Sequence, residues 1–81
     1  MEVRIRLGTG IARYASAPLL TLEVPSGATV ADVYERLAAG NPDLGAMLAS
    51  ALPVIGGRTV ERGQRLAPGD EVALLAPVSG G

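Results

Sequence analysis

The stretch LAPGDEVALLAPVSGG, residues 66–81, decides how the rest of the chain is read. Pro68 and Gly69 stand in the order of a type II turn. EVALLA then reads as a strand, with Val72 and Leu74 on one face and Ala73 and Leu75 on the other. Its apolar run is continuous, which predicts a central strand paired with the first strand of the chain. After Leu75 comes Ala76, then a proline, two small residues and a glycine pair. Fixing glycine costs more backbone freedom than fixing any other residue, so such a tail adds nothing to a core. Either it is an incidental, frayed end, or something outside the protein holds it.

Working back from that strand, MEVRIRL at residues 1–7 alternates Val3, Ile5 and Leu7 with Glu2, Arg4 and Arg6, the period of a half-buried strand. LLTLEV at residues 19–24 repeats the alternation with Leu20, Leu22 and Val24 inward. These two strands are expected to form an antiparallel hairpin. The intervening LGTGIARYASAP reads as a loop. Between Thr29 and Pro42, Val30, Val33, Tyr34 and Leu37 fall on one helical face. Thr29 is the expected N-cap, with Asp32 three residues on as a short-armed capping box. Gly40 suits the C′ position. Pro42 opens a second short helix capped by Asn41, which turns Leu44, Met47 and Leu48 to the core. LPVIGGRTV, residues 52–60, reads as a hairpin turning on Gly56 and Gly57. This order predicts an α+β fold: a mixed sheet wrapped on one main helix plus a short helix. The domain spans residues 1–75, and residues 76–81 are a flexible C-terminal Gly-Gly tail.

Composition narrows the function. The chain has 81 residues, is 48% hydrophobic and carries a formal net charge of −1. That is one domain with a modest core, burying about 60–65% of its unfolded surface. Tyr14 and Tyr34 are the only aromatics, so Leu, Val, Ile and Ala must fill the interior. No basic patch or stacking aromatic set supports nucleic-acid binding. No apolar run reaches the ~20 residues of a membrane span, and MEVRIRL is no signal peptide. A cytoplasmic protein is expected. The sequence holds no cysteine, histidine or lysine. Thiol chemistry, the usual general base at neutral pH, the Schiff-base amine and the P-loop lysine are all missing. LGTG, residues 7–10, lacks the downstream Gly-Lys-Ser/Thr of a phosphate loop and reads as a strand-end turn. Asp70 and Glu71 alternate sides beside a turn, a poor metal pair, so no metal site is expected.

The element order, with L-x-x-GDEVALL from Leu66 to Leu75 and PVSGG from Pro77 to Gly81, resembles the MoaD/ThiS family of ubiquitin-like sulfur carriers. The likeness covers the whole chain and is nearest to the small subunit of molybdopterin synthase. It departs from the family's habit at Gly56, Thr59, Leu75 and Ala76. The resemblance implies a ubiquitin-like β-grasp fold and a cycle centred on Gly81. An adenylating enzyme of the ubiquitin-activating (E1-like) kind, MoeB/ThiF-like, uses ATP to adenylate the Gly81 carboxylate. A sulfurtransferase or other sulfur donor displaces AMP and leaves a thiocarboxylate. An acceptor enzyme, such as a MoaE-like large subunit, receives the sulfur. The carrier itself binds no cofactor.

The residue types fit that task. Residues 77–81 (Pro77, Val78, Ser79, Gly80 and Gly81) reach roughly 17 Å when extended. Gly80 and Gly81 pass a narrow channel without a Cβ, and Pro77 stiffens the exit. Leu75 and Ala73, with Ile55 beside them, are the expected partner interface. Leu75 faces outward in unbroken alternation and inward if a bulge shifts the register. Arg58, Arg62 and Arg65 read either as a solvated face or as partners for acidic groups. Three readings follow: a sulfur carrier for molybdopterin, thiamine, cysteine or a secondary metabolite; a protein modifier conjugated through Gly81; or an interaction module whose tail is never activated.

Overall fold

Alternation in sequence becomes two faces in space. The computed structural model describes residues 1–77. In β1 (Glu2–Leu7), Val3, Ile5 and Leu7 are buried while Glu2, Arg4 and Arg6 are exposed. Strand β2 (Leu19–Glu23) pairs antiparallel with β1, setting Leu22 against Val3 and Leu20 against Ile5. The last strand, β5 (Glu71–Leu75), lies parallel to β1 on its other side, with Val72 against Ile5 and Leu74 against Leu7. Strand β3 (Leu52–Ile55) runs antiparallel to β5, and β4 (Arg58–Thr59) completes the order β2-β1-β5-β3-β4. The chain's last strand is therefore central, as its unbroken apolar run predicts.

Helix α2 (Val30–Gly40) turns Val30, Val33, Tyr34 and Leu37 onto the inner face of the sheet. Its first turn is closed by Asp32, whose Oδ2 accepts from the Thr29 amide at 2.8 Å and the Thr29 hydroxyl at 3.2 Å. The Tyr34 hydroxyl donates to the Ala51 carbonyl at 2.9 Å, so the buried aromatic satisfies its polar end while tying α2 to the approach to β3. Burial pushes the Tyr34 phenol up, and the nearby Arg62 partly opposes that. Among the described residues no polar or charged residue is buried, which leaves the interior aliphatic around Tyr34.

Helix α3 (Pro42–Leu48) follows without a linker. Asn41 caps it, its Oδ1 accepting from the Leu44 amide at 3.1 Å. Leu44 and Leu48 are buried, whereas Met47 is only half-buried. Gly40 does not take the expected C′ role. It remains the last residue of α2, and Asn41 ends the helix in an extended conformation, φ −155°. The reason is steric: Pro42 excludes the α region for the residue before it. Asn41 must then leave the helix at once, and its Nδ2 donates to the Tyr14 carbonyl at 2.6 Å.

The expected loop after β1 contains one helical turn, α1 (Thr9–Ala12). Ile11, fully buried, anchors it, and the Gly8 carbonyl accepts from both Ile11 and Ala12. A single apolar residue in a glycine-rich stretch carries no periodicity, so only the core could specify this turn. The two turns read from glycine are present. Gly56 and Gly57 both have positive φ, 59° and 78°, as a type I′ hairpin requires. Gly69 has φ 81°, and the Asp70 amide donates to the Ala67 carbonyl at 3.0 Å.

Arg62 works inside the fold. Its guanidinium lies 4.1 Å from the Tyr34 ring centroid and donates to the Ala49 carbonyl at 3.2 Å and the Leu48 carbonyl at 3.4 Å. It thus closes the C-terminal end of α3, where a cation meets the negative end of the helix dipole. Arg58 and Arg65 are exposed. No helix among the described residues is long and apolar enough to cross a membrane.

Two stability outcomes follow. Asp32→Ala is expected to lower stability by about 1 kcal/mol, or about 4–8 °C in a thermal melt. At Gly45 an added Cβ would meet the Ala38 Cβ at 2.8 Å and its Cα at 3.0 Å, so α2 and α3 cross too closely for a side chain. Gly45→Ala should therefore cost about 1–3 kcal/mol in chemical denaturation. Gly40→Ala, with nothing within 4 Å, should be neutral or better.

Candidate functional site

The sheet has one covered face and one open face, and the open face leads to the tail. Cross-strand neighbours share a face, so the register identifies the open side. Leu75 lies opposite Leu52, Ala73 opposite Val54 and Arg6, and Arg6 opposite Leu19. Leu75 is 39% exposed, Leu52 44% and Leu19 42%. Leu75 and Leu52 lie on adjacent strands, and Leu19 lies on the same face across β1 from them; exposed large apolar side chains of this kind suit contact with another protein.

Of the residues anticipated for that surface, Leu75 stands outward in an unshifted register, and Ala73 is half-buried beside Val54. Ile55 is placed otherwise. It pairs with Val72, shares the inner face and packs against the core. An odd-even shift explains this: β3 begins its outward set at Leu52, so Leu52 and Val54 point out while Pro53 and Ile55 point in. The alternation of LPVI held this signal, but only the β3–β5 register says which set faces out. Leu19 escaped the sequence reading because Pro18 and the loop before it hide where β2 begins.

Charge frames the apolar residues. Arg6 Nε donates to Glu71 Oε2 at 3.0 Å across β1 and β5. That hydrogen bond from Arg6 is the main reason the Glu71 carboxyl sits below the usual carboxylate range, with partial burial opposing it. The same bond raises the Arg6 guanidinium. Arg6 is exposed and Glu71 only half-buried, so solvent screening leaves the pair orienting side chains more than stabilising the fold.

The exit of the chain is anchored at Gly8. Its amide donates to the Leu74 carbonyl at 2.9 Å. A Cβ at Gly8 would lie 3.3 Å from Leu75 Cδ2 and 3.4 Å from the Leu74 oxygen, so glycine allows the close approach of β1's end to the last strand. Beyond Leu75, Ala76 and Pro77 are exposed. Val78, Ser79, Gly80 and Gly81 lie outside the described residues. Among those described, no group of histidine, cysteine, aspartate or glutamate is arranged to hold a metal ion. The described residues offer an open face with exposed apolar side chains beside the end of the last strand, and no acid–base pair or activated nucleophile is assembled among them.

The ThiS family profile matches residues 10–81. No curated protein matches the chain. Among solved structures, small archaeal modifier protein 1 (SAMP1) from Haloferax volcanii is 27% identical, with a TM-score of 0.87 over 100% of both chains. The protein of the same name from Methanosarcina acetivorans is 28% identical, with a TM-score of 0.80 over 99% of this chain and 96% of that one. A chain of the complex of subunits 1 and 2 of molybdopterin-converting factor from Helicobacter pylori is 18% identical, with a TM-score of 0.72 over 100% of both chains, a likeness of fold. The fold is the ubiquitin-like β-grasp. With the profile spanning nearly the whole sequence, the chain belongs to the ThiS family.

Proposed function

We propose that this protein is a sulfur carrier whose working group is the carboxylate of Gly81. The observation that carries this reading is the family match, which runs through Gly80 and Gly81. In the proposed cycle a partner enzyme joins the Gly81 carboxylate to the α-phosphate of ATP and releases pyrophosphate. The acyl adenylate is a strong electrophile where the carboxylate was a poor one. A sulfide-equivalent donor attacks its carbonyl carbon, AMP leaves, and a C-terminal thiocarboxylate remains. The acceptor enzyme then takes the sulfur. The open face with Leu75, Leu52 and Val54 holds the carrier on each partner while the tail enters the active site. ATP supply puts the activation step in the cytoplasm.

For the acceptor we favour the large subunit of molybdopterin synthase, by likeness to the Helicobacter pylori complex of subunits 1 and 2. Thiamine, cysteine or secondary-metabolite pathways are the other candidate destinations. A second reading has its own support: the two archaeal relatives are described as modifier proteins, which suits conjugation of Gly81 to a lysine of a target. The absence of lysine from this chain means it forms no lysine-linked chains of itself.

Intact mass spectrometry after co-expression with an adenylating enzyme and a sulfur donor tests the proposal. A mass gain equal to one oxygen exchanged for sulfur is the expected result. Gly81 found in isopeptide linkage favours the modifier, and a terminus unmodified in every condition defeats both. Deleting Gly81 should abolish thiocarboxylate formation while the cooperative melt is retained. Leu75→Glu should weaken binding to the acceptor by about tenfold or more in calorimetry, with little change in melting temperature because the side chain lies at the surface, 39% exposed.

A further inference from the structure

Gly8 stands where three elements meet. Its amide donates to the Leu74 carbonyl at 2.9 Å, at the end of the β1–β5 pairing. Its carbonyl accepts from the Ile11 amide at 2.9 Å and the Ala12 amide at 2.8 Å, which closes the α1 turn. Ile11 is fully buried and pins that turn to the core, so Gly8 is fixed from both sides.

Nothing local asks for glycine at this position. A φ of −63° and a ψ of 159° suit any residue. Gly8 is also the N-cap of α1, where serine, threonine, aspartate or asparagine could add a side-chain bond, and it makes none. The demand comes from the open face. Leu7 is buried, so alternation turns position 8 outward. A Cβ there would lie 3.3 Å from Leu75 Cδ2 and 3.5 Å from Leu75 Cα. The Leu75 side chain therefore reaches across the end of β1, over the bare backbone of Gly8. Carbon atoms pack best about 3.5–4.0 Å apart, so an added methyl would push Leu75 from its place. With 39% of its surface exposed, Leu75 can yield toward solvent without disturbing the core. Gly10, on the same turn, has nothing within 4 Å of an added Cβ.

We propose that Gly8 is a positioning residue for docking: it seats Leu75 across the end of β1, so that the apolar anchor meets the adenylating enzyme already in place. In the proposed cycle Leu75 belongs to the surface that holds the partner, and on that reading Gly8 acts through it. A side chain placed beforehand loses less freedom when the partner binds. The seat acts before the tail reaches the reacting atoms, so its loss should raise the KM for the carrier and spare kcat. The LGTG stretch thereby gains a role in presenting the last strand, distinct from phosphate binding.

The test follows pyrophosphate release by the adenylating enzyme at varied concentrations of the full chain, alongside methyl NMR of the free chain. Gly8→Ala should shift the Leu75 methyl resonances and raise KM by about threefold, and the larger Gly8→Val by about tenfold, with kcat within about twofold and the cooperative melt kept. Gly10→Ala should leave KM and the Leu75 methyls unchanged. On a Leu75→Ala background, Gly8→Ala should raise KM no further, because the two act as one unit. The proposal is overturned by unmoved Leu75 methyls, by an unchanged KM in both Gly8 variants, or by a KM rise that is as large without Leu75 as with it. A lost melt in Gly8→Ala would also overturn it, since Gly8 would then serve the fold alone. Failure of the carrier reading looks different: the wild-type chain itself releases no pyrophosphate, and the docking role of Gly8 falls with it.

Discussion

The parallel pairing of β1 with β5 is the constraint on which everything else rests. It joins the two ends of the sequence, with Ile5 against Val72 and Leu7 against Leu74, all deeply buried. Parallel neighbours cannot be joined by a tight turn, so the chain between them must cross over one face. Helix α2 fills that crossover and covers the inner side of the sheet. Such a pair forms only after a long loop closes, an entropic cost met by aliphatic burial rather than by local structure. Once it forms, the last strand sits in the middle of the sheet, and the chain leaves the body beside Gly8.

This placement divides the last strand between two faces. The inner side chains of β5 make the core, and its outer side chains, Ala73 and Leu75, belong to the open face. The strand that leads to the tail is thus held by buried contacts on both neighbours. Among the described residues the core holds no charged side chain, and its buried phenol, Tyr34, donates its hydroxyl to the Ala51 carbonyl.

Much of this was legible beforehand, for identifiable reasons. Period-two runs in β1 and β5 and the 3.6-residue stripe of α2 are strong signals because each has a single buried side. The turns at Gly56–Gly57 and Gly69 were legible because positive φ has few takers. The boundary at Asn41 was misread because two rules competed for one place, the glycine cap and the restriction before proline, and the steric rule won. Helix α1 was missed because one buried isoleucine makes no pattern. Arg62 was open to two surface readings, and neither foresaw that its partners are an aromatic ring and two carbonyls brought near by folding.

The sequence by itself determined which segments are strands and which is the main helix, and that the family's glycine pair stands at residues 80–81. Local sterics and hydrophobic period suffice for such statements. Only the tertiary structure decided which apolar residues meet on the open face. Leu52, Val54 and Leu19 join Leu75 there, and Ile55 turns inward, because facing depends on register between strands far apart in the chain. A one-residue difference in register reverses every side chain, and no local pattern in LPVI records its partner.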